Sequence, residues 1–451
     1  MPTFAPEQLL PFLTSFPGAR SAWVAYSGGL DSEVLLHSVA SLRDRLPYEV
    51  GAVHLDHGLQ PSSPRWAEQC RARCEALGVP LRLLRVSAAA GPGESPEAAA
   101  REARYRALAG LLAPGDLLLT AHHRDDQAET FLLALMRGSG LKGLAAMPRV
   151  ADLGAGRLLR PLLGLAREDL REYGERVGLE WIEDPSNLEP AFDRNYLRHR
   201  VLPLLAGRWP ACSTMIARSA EHCAEAQGLI EEVTEKALVR LAGTRAGTLS
   251  VSGLRALDAA LGRALLRQWT MRLDLPPPGL SRVNRILTEV LNAGPDAQPL
   301  VTWAGCEVRR YRDDLFAMTP LPPRPPSGPR TWRAGVLELP FGLGRLELRD
   351  DSGRRLDPEH LRHDRLQVGF GMPGLTCRPA AGGHRRRLKK LFQEAGVPSW
   401  LRPYVPLLFN RYGLVAVGDL WMCEDAPARC GLEIRWAGGI RSHPGFPASR
   451  R

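Results

Sequence analysis

No Cys-x-x-Cys pair occurs in this chain, although eight cysteines are scattered through it, at 70, 74, 212, 223, 306, 377, 423 and 430. Zinc ribbons and cysteine-held iron–sulfur clusters draw their ligands from such pairs, so neither is expected. Cys70 and Cys74 fall four apart on an expected helix and read as small buried apolar side chains, and reduced thiols in a cytoplasmic protein are the expectation. The chain also lacks any apolar run long enough to cross a bilayer, so no membrane partner is expected. Its first sixteen residues have neither a basic lead nor a small-residue cleavage site, and read as no signal peptide. Internal repeats are absent. So are both familiar nucleotide loops, the Walker loop with its Gly-Lys-Ser/Thr ending and the Gly-x-Gly-x-x-Gly of dinucleotide folds.

What is present is a long, basic, globular chain. Its 451 residues, 44% of them hydrophobic, are too many for one ordinary core, so two or three domains are expected. The formal charge is +10, of which residues 351–451 carry +8, with 17 Lys+Arg against 9 Asp+Glu. Such asymmetry suits a polyanionic partner, nucleic acid being the commonest, while an arginine-rich composition alone would raise the charge equally.

Four short apolar runs, 22–26, 50–55, 81–86 and 116–120, alternate with longer amphipathic ones at 31–42, 65–77, 96–112 and 125–136. That β-α rhythm with fully apolar strands predicts an α/β fold, an N-terminal doubly wound parallel sheet of Rossmann-like form. Ligands of such sheets sit beyond the carboxyl ends of the strands. Residues 198–330 are mostly helical in period, with helices expected at 253–273 and 280–291 on either side of Pro276-Pro277-Pro278. Residues 320–330 form a proline-rich stretch suited to a stiff linker. The expected division is a catalytic domain at 1–205, a helical middle domain at 206–319, the linker, and a small basic α+β domain at 331–451.

The groups that suit chemistry follow the expected strands. Ser27-Gly28-Gly29-Leu30-Asp31-Ser32 lies between the first strand and its helix, where backbone N–H groups and the helix dipole favour a phosphate. Glycine lets the main chain approach an oxyanion closely, Ser27 and Ser32 add hydroxyls, and Asp31 can hold Mg²⁺ against the same phosphates. The loop resembles the PP-loop of the ATP pyrophosphatases, which cleave ATP between the α and β phosphates. After the second strand comes 54–59, in which His54 and its neighbours suit either a nucleotide-pocket loop or a structural strand end. After the fourth strand, Asp126 and Glu129 share a helix face, fit to hold a metal or grip an ammonium, or simply to complement the helix dipole. Arg101 and Arg104 can point the same way from one helix and neutralise charge building on phosphates, or serve as surface ion pairs. Arg137-Gly138 opens a second basic glycine loop suited to closing over a nucleotide.

In the same order these segments, joined by Asp184-Pro185-Ser186-Asn187, Arg194-Asn195-Tyr196-Leu197-Arg198 and the C-terminal run Arg387-Leu388-Lys389-Lys390-Leu391-Phe392, resemble the tRNA(Ile)-lysidine synthetase family. One departure is Gly93-Glu94-Ser95-Pro96, where many relatives have an asparagine. The resemblance implies ATP-dependent attachment of L-lysine to C2 of the wobble cytidine in an isoleucine tRNA with the anticodon CAU. The base is first adenylated with release of pyrophosphate, and lysine then displaces AMP. It further implies ATP and Mg²⁺ at 27–32, His122 and Arg104, with Arg101 a competitor, at the phosphate during adenylation, and Asp126 and Glu129 on lysine. Arg194, Asn195, Arg198 and the cluster Arg385, Arg386, Arg387, Lys389 and Lys390 would grip tRNA. A tRNA-thiolating PP-loop enzyme, a glutamine-using ligase and a tRNA-binding chaperone with a dead nucleotide site are the rivals. The missing cysteine pairs count against the first, and the lack of a glutaminase-like stretch counts against the second. Oligomeric state, a homodimer included, is left open by the sequence.

Overall fold

A computed structural model describes residues 3–56, 63–86, 96–183, 192–294, 297–332, 335–350, 355–356, 366–379, 384–411, 413–423, 432–443 and 445–447. The chain divides into two compact units, Met1–Leu229 and Ile230–Arg451.

The first unit begins with a short helix α1 (Leu10–Leu13) and strand β1 (Ser21–Ala25), followed by α2 (Leu30–Leu42), β2 (Glu49–Asp56), α3 (Ser63–Ala76) and β3 (Leu81–Arg85). The order continues with α4 (Pro96–Leu111), β4 (Leu117–Leu119), α5 (Arg124–Met136), α6 (Leu141–Leu144), β5 (Val150–Leu153), β6 (Gly156–Leu159) and α7 (Arg167–Arg176). The six strands form one sheet in the order β3-β2-β1-β4-β6-β5, parallel except for β5, which pairs antiparallel with β6. All four expected strands and their helices are present. The edge hairpin β5–β6 escaped the sequence reading because it alternates on a short scale and lacks the long apolar run of the central strands.

The middles of the central strands β1, β2 and β4 are apolar because both faces of the sheet are covered there, whereas the edge strand β3 carries Arg82 and Arg85 and is largely exposed. Ala22, Val24, Leu117 and Leu119 point into a core built with α2, α3 and α7, through Val34, Leu35, Cys70, Cys74 and Leu170. Val53 and Leu118 point the other way, against Leu108 and Leu112 from the end of α4. A period-2 element buried on both faces loses its alternation, which is why composition rather than pattern revealed it. The chain leaves β1 toward β2 and β3 on one side and returns to β4 on the other. The crevice between the carboxyl ends of β1 and β4 is therefore the topological switch point of the sheet.

Helix α8 (Asp193–Tyr196), a π-turn at Leu197–Val201 and α9 (Leu202–Arg208) run almost without a break into α10 (Cys212–Arg240).

The second unit has the expected helices in the middle of the chain and adds a sheet to them. Strands β7 (Leu249–Ser250), β8 (Leu300–Trp303), β9 (Cys306–Tyr311) and β10 (Asp314–Met318) form this antiparallel sheet in the order β7-β10-β9-β8. The helix expected over 253–273 is two, α11 (Val251–Arg255) and α12 (Ala259–Arg272), because Asp258 caps the second by accepting from the Ala260 N–H at 2.7 Å. The other expected helix is α13 (Leu280–Arg285) with a π-turn through Val290. Residues 319–326 carry no regular element, in keeping with the proline-rich composition. Beyond them, short antiparallel strands surround one basic helix, α14 (Leu388–Glu394). Cys377 and Cys423 are joined in a disulfide, against the expectation of reduced thiols. The two cysteines are 46 apart in sequence, and an antiparallel bridge between Pro379 and Cys423 lies beside the link. Cys70, Cys74, Cys212, Cys223 and Cys306 are free. Among the described residues, no helix is long and apolar enough to cross a membrane.

Candidate active site

The turn from β1 into α2 is built for close approach. Gly28 has φ +85°, a conformation side chains avoid, and an added Cβ would meet Ile182 Cδ1 at 2.7 Å and Cys70 Sγ at 3.2 Å. Its carbonyl accepts from the Ile182 N–H at 2.9 Å, which pins the turn to the segment after α7. Gly29 caps α2, so the first N–H groups of that helix are left without intrahelical acceptors at the turn. The two serine hydroxyls lie 3.0 Å apart. Ser32 Oγ accepts from the Ser27 N–H at 3.2 Å and donates to the Gly29 carbonyl at 2.9 Å. The loop is thus cross-linked by its own hydroxyls, and Leu30 is buried beneath it.

A staple spans the loop from outside. Tyr26, just before it, donates its hydroxyl to Glu33 Oε2 at 2.5 Å, and Glu33, just after it, is 0% exposed. Arg73 of α3 pairs with the other oxygen of Glu33 at 2.5 Å. Burial and the neighbouring carboxylate push the Tyr26 phenol far above its ordinary value, so it remains a donor. His54 is buried at the end of β2, with Nδ1 2.9 Å from the Tyr26 carbonyl oxygen. It therefore buttresses the residue that begins the loop.

Across the switch point, β4 leads into Thr120, His122 and His123 and then α5. His122 Nδ1 lies 2.9 Å from Thr120 Oγ1, and its pKa is lowered to about 3, chiefly by burial, with Arg160, Arg194 and Arg104 adding to the effect against Asp126. The ring is neutral. His123 is wholly buried among Asp31, Asp125 and Asp126. Its backbone N–H donates to Asp126 Oδ2 at 3.0 Å, so Asp126 closes the first turn of α5 while its other oxygen faces outward. Asp126 is depressed below the usual carboxylate range, because His123, Arg194 and Arg198 outweigh the opposing cost of burial.

The structure joins two groups that the sequence reading had kept apart. Arg194 Nε donates to Glu129 Oε2 at 2.6 Å and its Nη2 to Asp126 Oδ1 at 2.9 Å. Arg198 Nε donates to Glu129 Oε1 at 2.6 Å, with Nη2 2.9 Å from Asp126 Oδ1 and 3.0 Å from Glu129 Oε2. One helical turn separates the two arginines, as it nearly does the two acids, so two facing helix ridges lock together. Glu129 is 0% exposed, and the arginine side chains are 24% and 22% exposed. Arg194 and Arg198 therefore grip the two acids here and do not project as surface cations. Nothing in the spacing of either motif alone signalled this pairing.

Arg104 sits half-buried in the field of Arg101 and Arg194, with burial the main cause of its lowered pKa, and Arg101 is exposed. The two helix neighbours differ in just this respect, and Arg104 is the one in the fields of His122 and Arg194. Arg137 and Gly138 end α5, about 20 Å along the axis from Arg124, so they are not gathered with the loop. Asn195 is half-buried on α8. In the second unit Arg385, Arg387, Lys389 and Lys390 are exposed, and Arg386 pairs with Glu394 at 2.7 Å. His57 and residues 184–187 lie outside the described residues. Among the described residues, no three His, Cys, Asp or Glu side chains form a metal cluster. Asp31 Oδ1 is nevertheless buried without a hydrogen-bond partner at the start of α2. A single hard oxygen beside a phosphate loop fits Mg²⁺, which takes most of its ligands from phosphates and water.

Residues 4–205 match the family model of the PP-loop domain, residues 249–316 that of the TilS substrate binding domain, and residues 366–436 that of the TilS substrate C-terminal domain. The tRNA(Ile)-lysidine synthase of Alkalilimnicola ehrlichii is 44% identical, the match covering 96% of this chain and 97% of that one. Those of Methylococcus capsulatus and Coxiella burnetii are 41% and 39% identical. They cover 92% and 96% of this chain, and 95% and 96% of their own lengths.

Proposed function

The chain belongs to the tRNA(Ile)-lysidine synthase family, and we propose that it joins L-lysine to C2 of the wobble cytidine in the isoleucine tRNA with anticodon CAU, at the cost of one ATP split to AMP and pyrophosphate. The observation that carries this reading is the meeting, at one switch point, of a phosphate-cradling turn and a pair of acids that bind N–H cations.

In the first step the cytidine C2 oxygen attacks the α-phosphorus of ATP, forming the O–P bond as pyrophosphate leaves. The N–H groups at 28–32 hold the phosphates, with Ser27 and Ser32 keeping the turn in shape. Asp31 would hold Mg²⁺, which supplies charge neutralisation on the phosphates. Arg104, with Arg101 behind it, offsets charge on the transferring phosphate. The neutral His122 offers a hydrogen bond without adding a fixed cation. In the second step the uncharged ε-amine of lysine attacks C2, and the C2–O bond breaks to release AMP. Asp126 and Glu129 hold the amine end, as they hold guanidinium groups here, so lysine must share or displace those contacts. A base is reached only outside its stack, so residues 1–205 carry the chemistry and the exposed cations of 331–451 grip the RNA backbone. The RNA substrate puts the reaction in the cytoplasm.

Incubation with ATP, labelled lysine and this tRNA tests the proposal. Label enters the RNA with one AMP and one pyrophosphate released per lysine. Sulfur incorporation, or no label at any enzyme concentration, overturns it.

A further inference from the structure

The steps above give the amine of lysine two acids but leave its carboxylate without a partner. Arg160 follows β6 at its carboxyl end and is 5% exposed, and among the described residues no other arginine or lysine is buried. Its Nη1 donates to the Pro148 carbonyl at 2.6 Å, while its Nε is buried with no hydrogen-bond partner. The side chains that act on it most strongly are Tyr105 and Arg101 of α4, neither of them an acid. A buried guanidinium is costly unless an anion meets it, and no described carboxylate forms an ion pair with this one. Arg194 and Arg198, by contrast, turn their donors to Asp126 and Glu129.

Strand register places this cation. Val24, Leu119 and Leu159 lie side by side across β1, β4 and β6, and the Thr120 N–H donates to the Leu159 carbonyl at 3.0 Å. The phosphate turn after β1, His122 after β4 and Arg160 after β6 therefore follow one another along the same end of the sheet. Two strand spacings, about 10 Å, separate β6 from β1. His122, after the strand between them, lies in the fields of both Asp126 and Arg160. An acid and a cation within reach of one ring suit a zwitterion, whose ends carry opposite charges.

We infer that Arg160 receives the α-carboxylate of lysine, through guanidinium donors that no acid of the fold occupies, and so selects the free amino acid over a simple amine. A planar fork matches the two oxygens of a carboxylate. Phosphate is the other oxyanion of the site, but the turn that cradles it begins two strands away. The inference rests on the assignment of Asp126 and Glu129 to the amine made above.

Lysinamide, in which that carboxylate is a neutral amide, tests this together with the variant Arg160→Met. Adenylation is followed as tRNA-dependent pyrophosphate release with the amine omitted, and transfer as incorporation of labelled lysine or lysinamide. The parent is expected to favour lysine over lysinamide by about 10-fold or more in kcat/KM, the scale of one charge-assisted hydrogen bond. In Arg160→Met the KM for lysine rises by a similar factor, the preference falls to about twofold or less, and the KM for ATP in adenylation stays as in the parent. A parent that uses both amines alike, or a variant that keeps the preference, overturns the proposal. A raised KM for ATP would assign Arg160 to the phosphates and overturns it as well. So does a lower melting temperature with the preference intact, the mark of a side chain that merely holds Pro148. If Arg160→Met does not fold, the same readings on Arg160→Gln, which keeps an N–H donor for the Pro148 carbonyl, decide the matter. Failure of the parent to label the RNA with lysine would instead overturn the function itself, a separate outcome.

Discussion

Replacing Gly28 by alanine should damage ATP binding for two separable reasons. At φ +85° an L side chain costs about 1–2 kcal/mol. The new methyl would also stand 2.7 Å from Ile182 Cδ1, an overlap that over-packed sites typically relieve at about 1–3 kcal/mol. The turn cannot move freely to escape, because the Gly28 carbonyl is held by the Ile182 N–H and the flanking hydroxyls cross-link Ser27 to Ser32. If about 2 kcal/mol of this is relieved by displacing the N–H groups, ATP affinity falls about 30-fold. The remainder appears as reduced stability, at about 2–4 °C of melting temperature per kcal/mol in a unit of this size. Calorimetric titration with ATP and a thermal melt measure both. The double variant Gly28→Ala, Ile182→Ala removes the overlap and leaves the backbone strain, so it should recover part of the ATP affinity. An alanine variant that binds ATP within twofold of the parent, or a double variant no better than the single one, would refute this account of the turn.

The staple across the loop predicts that Tyr26→Phe lowers stability by about 1.5–3 kcal/mol in urea unfolding, since a buried carboxylate loses its hydroxyl donor, with ATP affinity falling alongside. Glu33→Gln, which keeps an acceptor but discharges the partner of Arg73, should cost less than Glu33→Ala. His122 and His443 both have depressed pKa values, to about 3 and about 4, principally through burial. Between those values and 6.5 the unfolded chain binds more protons, so stability from these rings is whole above pH 6.5 and declines as pH falls toward 3–4. Unfolding midpoints should drop across that window, and His122→Gln should flatten its lower part. Changing Arg385, Arg387, Lys389 and Lys390 to glutamine should weaken tRNA binding and reduce the salt slope by about 0.7–0.9 for each phosphate no longer neutralised, with ATP affinity unchanged. Filter binding over a salt series reads the slope, and an unaltered slope removes these side chains from the RNA interface.

The N-terminal sheet was legible because its signals were redundant. Four apolar runs, helices of regular period and glycines at a strand end all agreed, and the switch point followed from strand order. The middle sheet was not legible. Its strands β8, β9 and β10 are only four to six residues long, β9 and β10 show no clean alternation, and all sit among stronger helical periods, so local pattern favoured helix. The site divides along similar lines. Backbone geometry can be read where one residue type is required, as at Gly28. The ion pairs of Arg194 and Arg198 with Asp126 and Glu129 cannot, because they join motifs 65–72 residues apart whose i, i+3 and i, i+4 spacings suit a surface as well as a cluster. His123 was overlooked for the same reason. Its neighbour His122 drew the chemical reading, and only the approach of α2 to α5 shows that His123 is the ring surrounded by carboxylates.

That approach also explains why an acidic site can accept a polyanionic cofactor. Asp31, Asp125, Asp126 and Glu129 would repel triphosphate if they stood as four free charges. Each instead faces a cation in the fold: His123 for the three aspartates, with Arg167 near Asp31, and Arg194 and Arg198 for Asp126 and Glu129. The positive partners come from helices other than the acids' own, apart from His123 at the cap of α5, so the neutral arrangement exists only in the folded unit. An incoming amine then exchanges one cation for another at Asp126 and Glu129, at little cost in net charge. A buried acid pair without arginines would raise its own pKa and lose its grip on an ammonium. Removing Arg194 and Arg198 together should therefore raise the pKa of Asp126 from its depressed range, and lysine saturation should become pH-dependent where the parent's is flat. A flat profile in the double variant Arg194→Met, Arg198→Met would show that the acids hold their charge without the arginines.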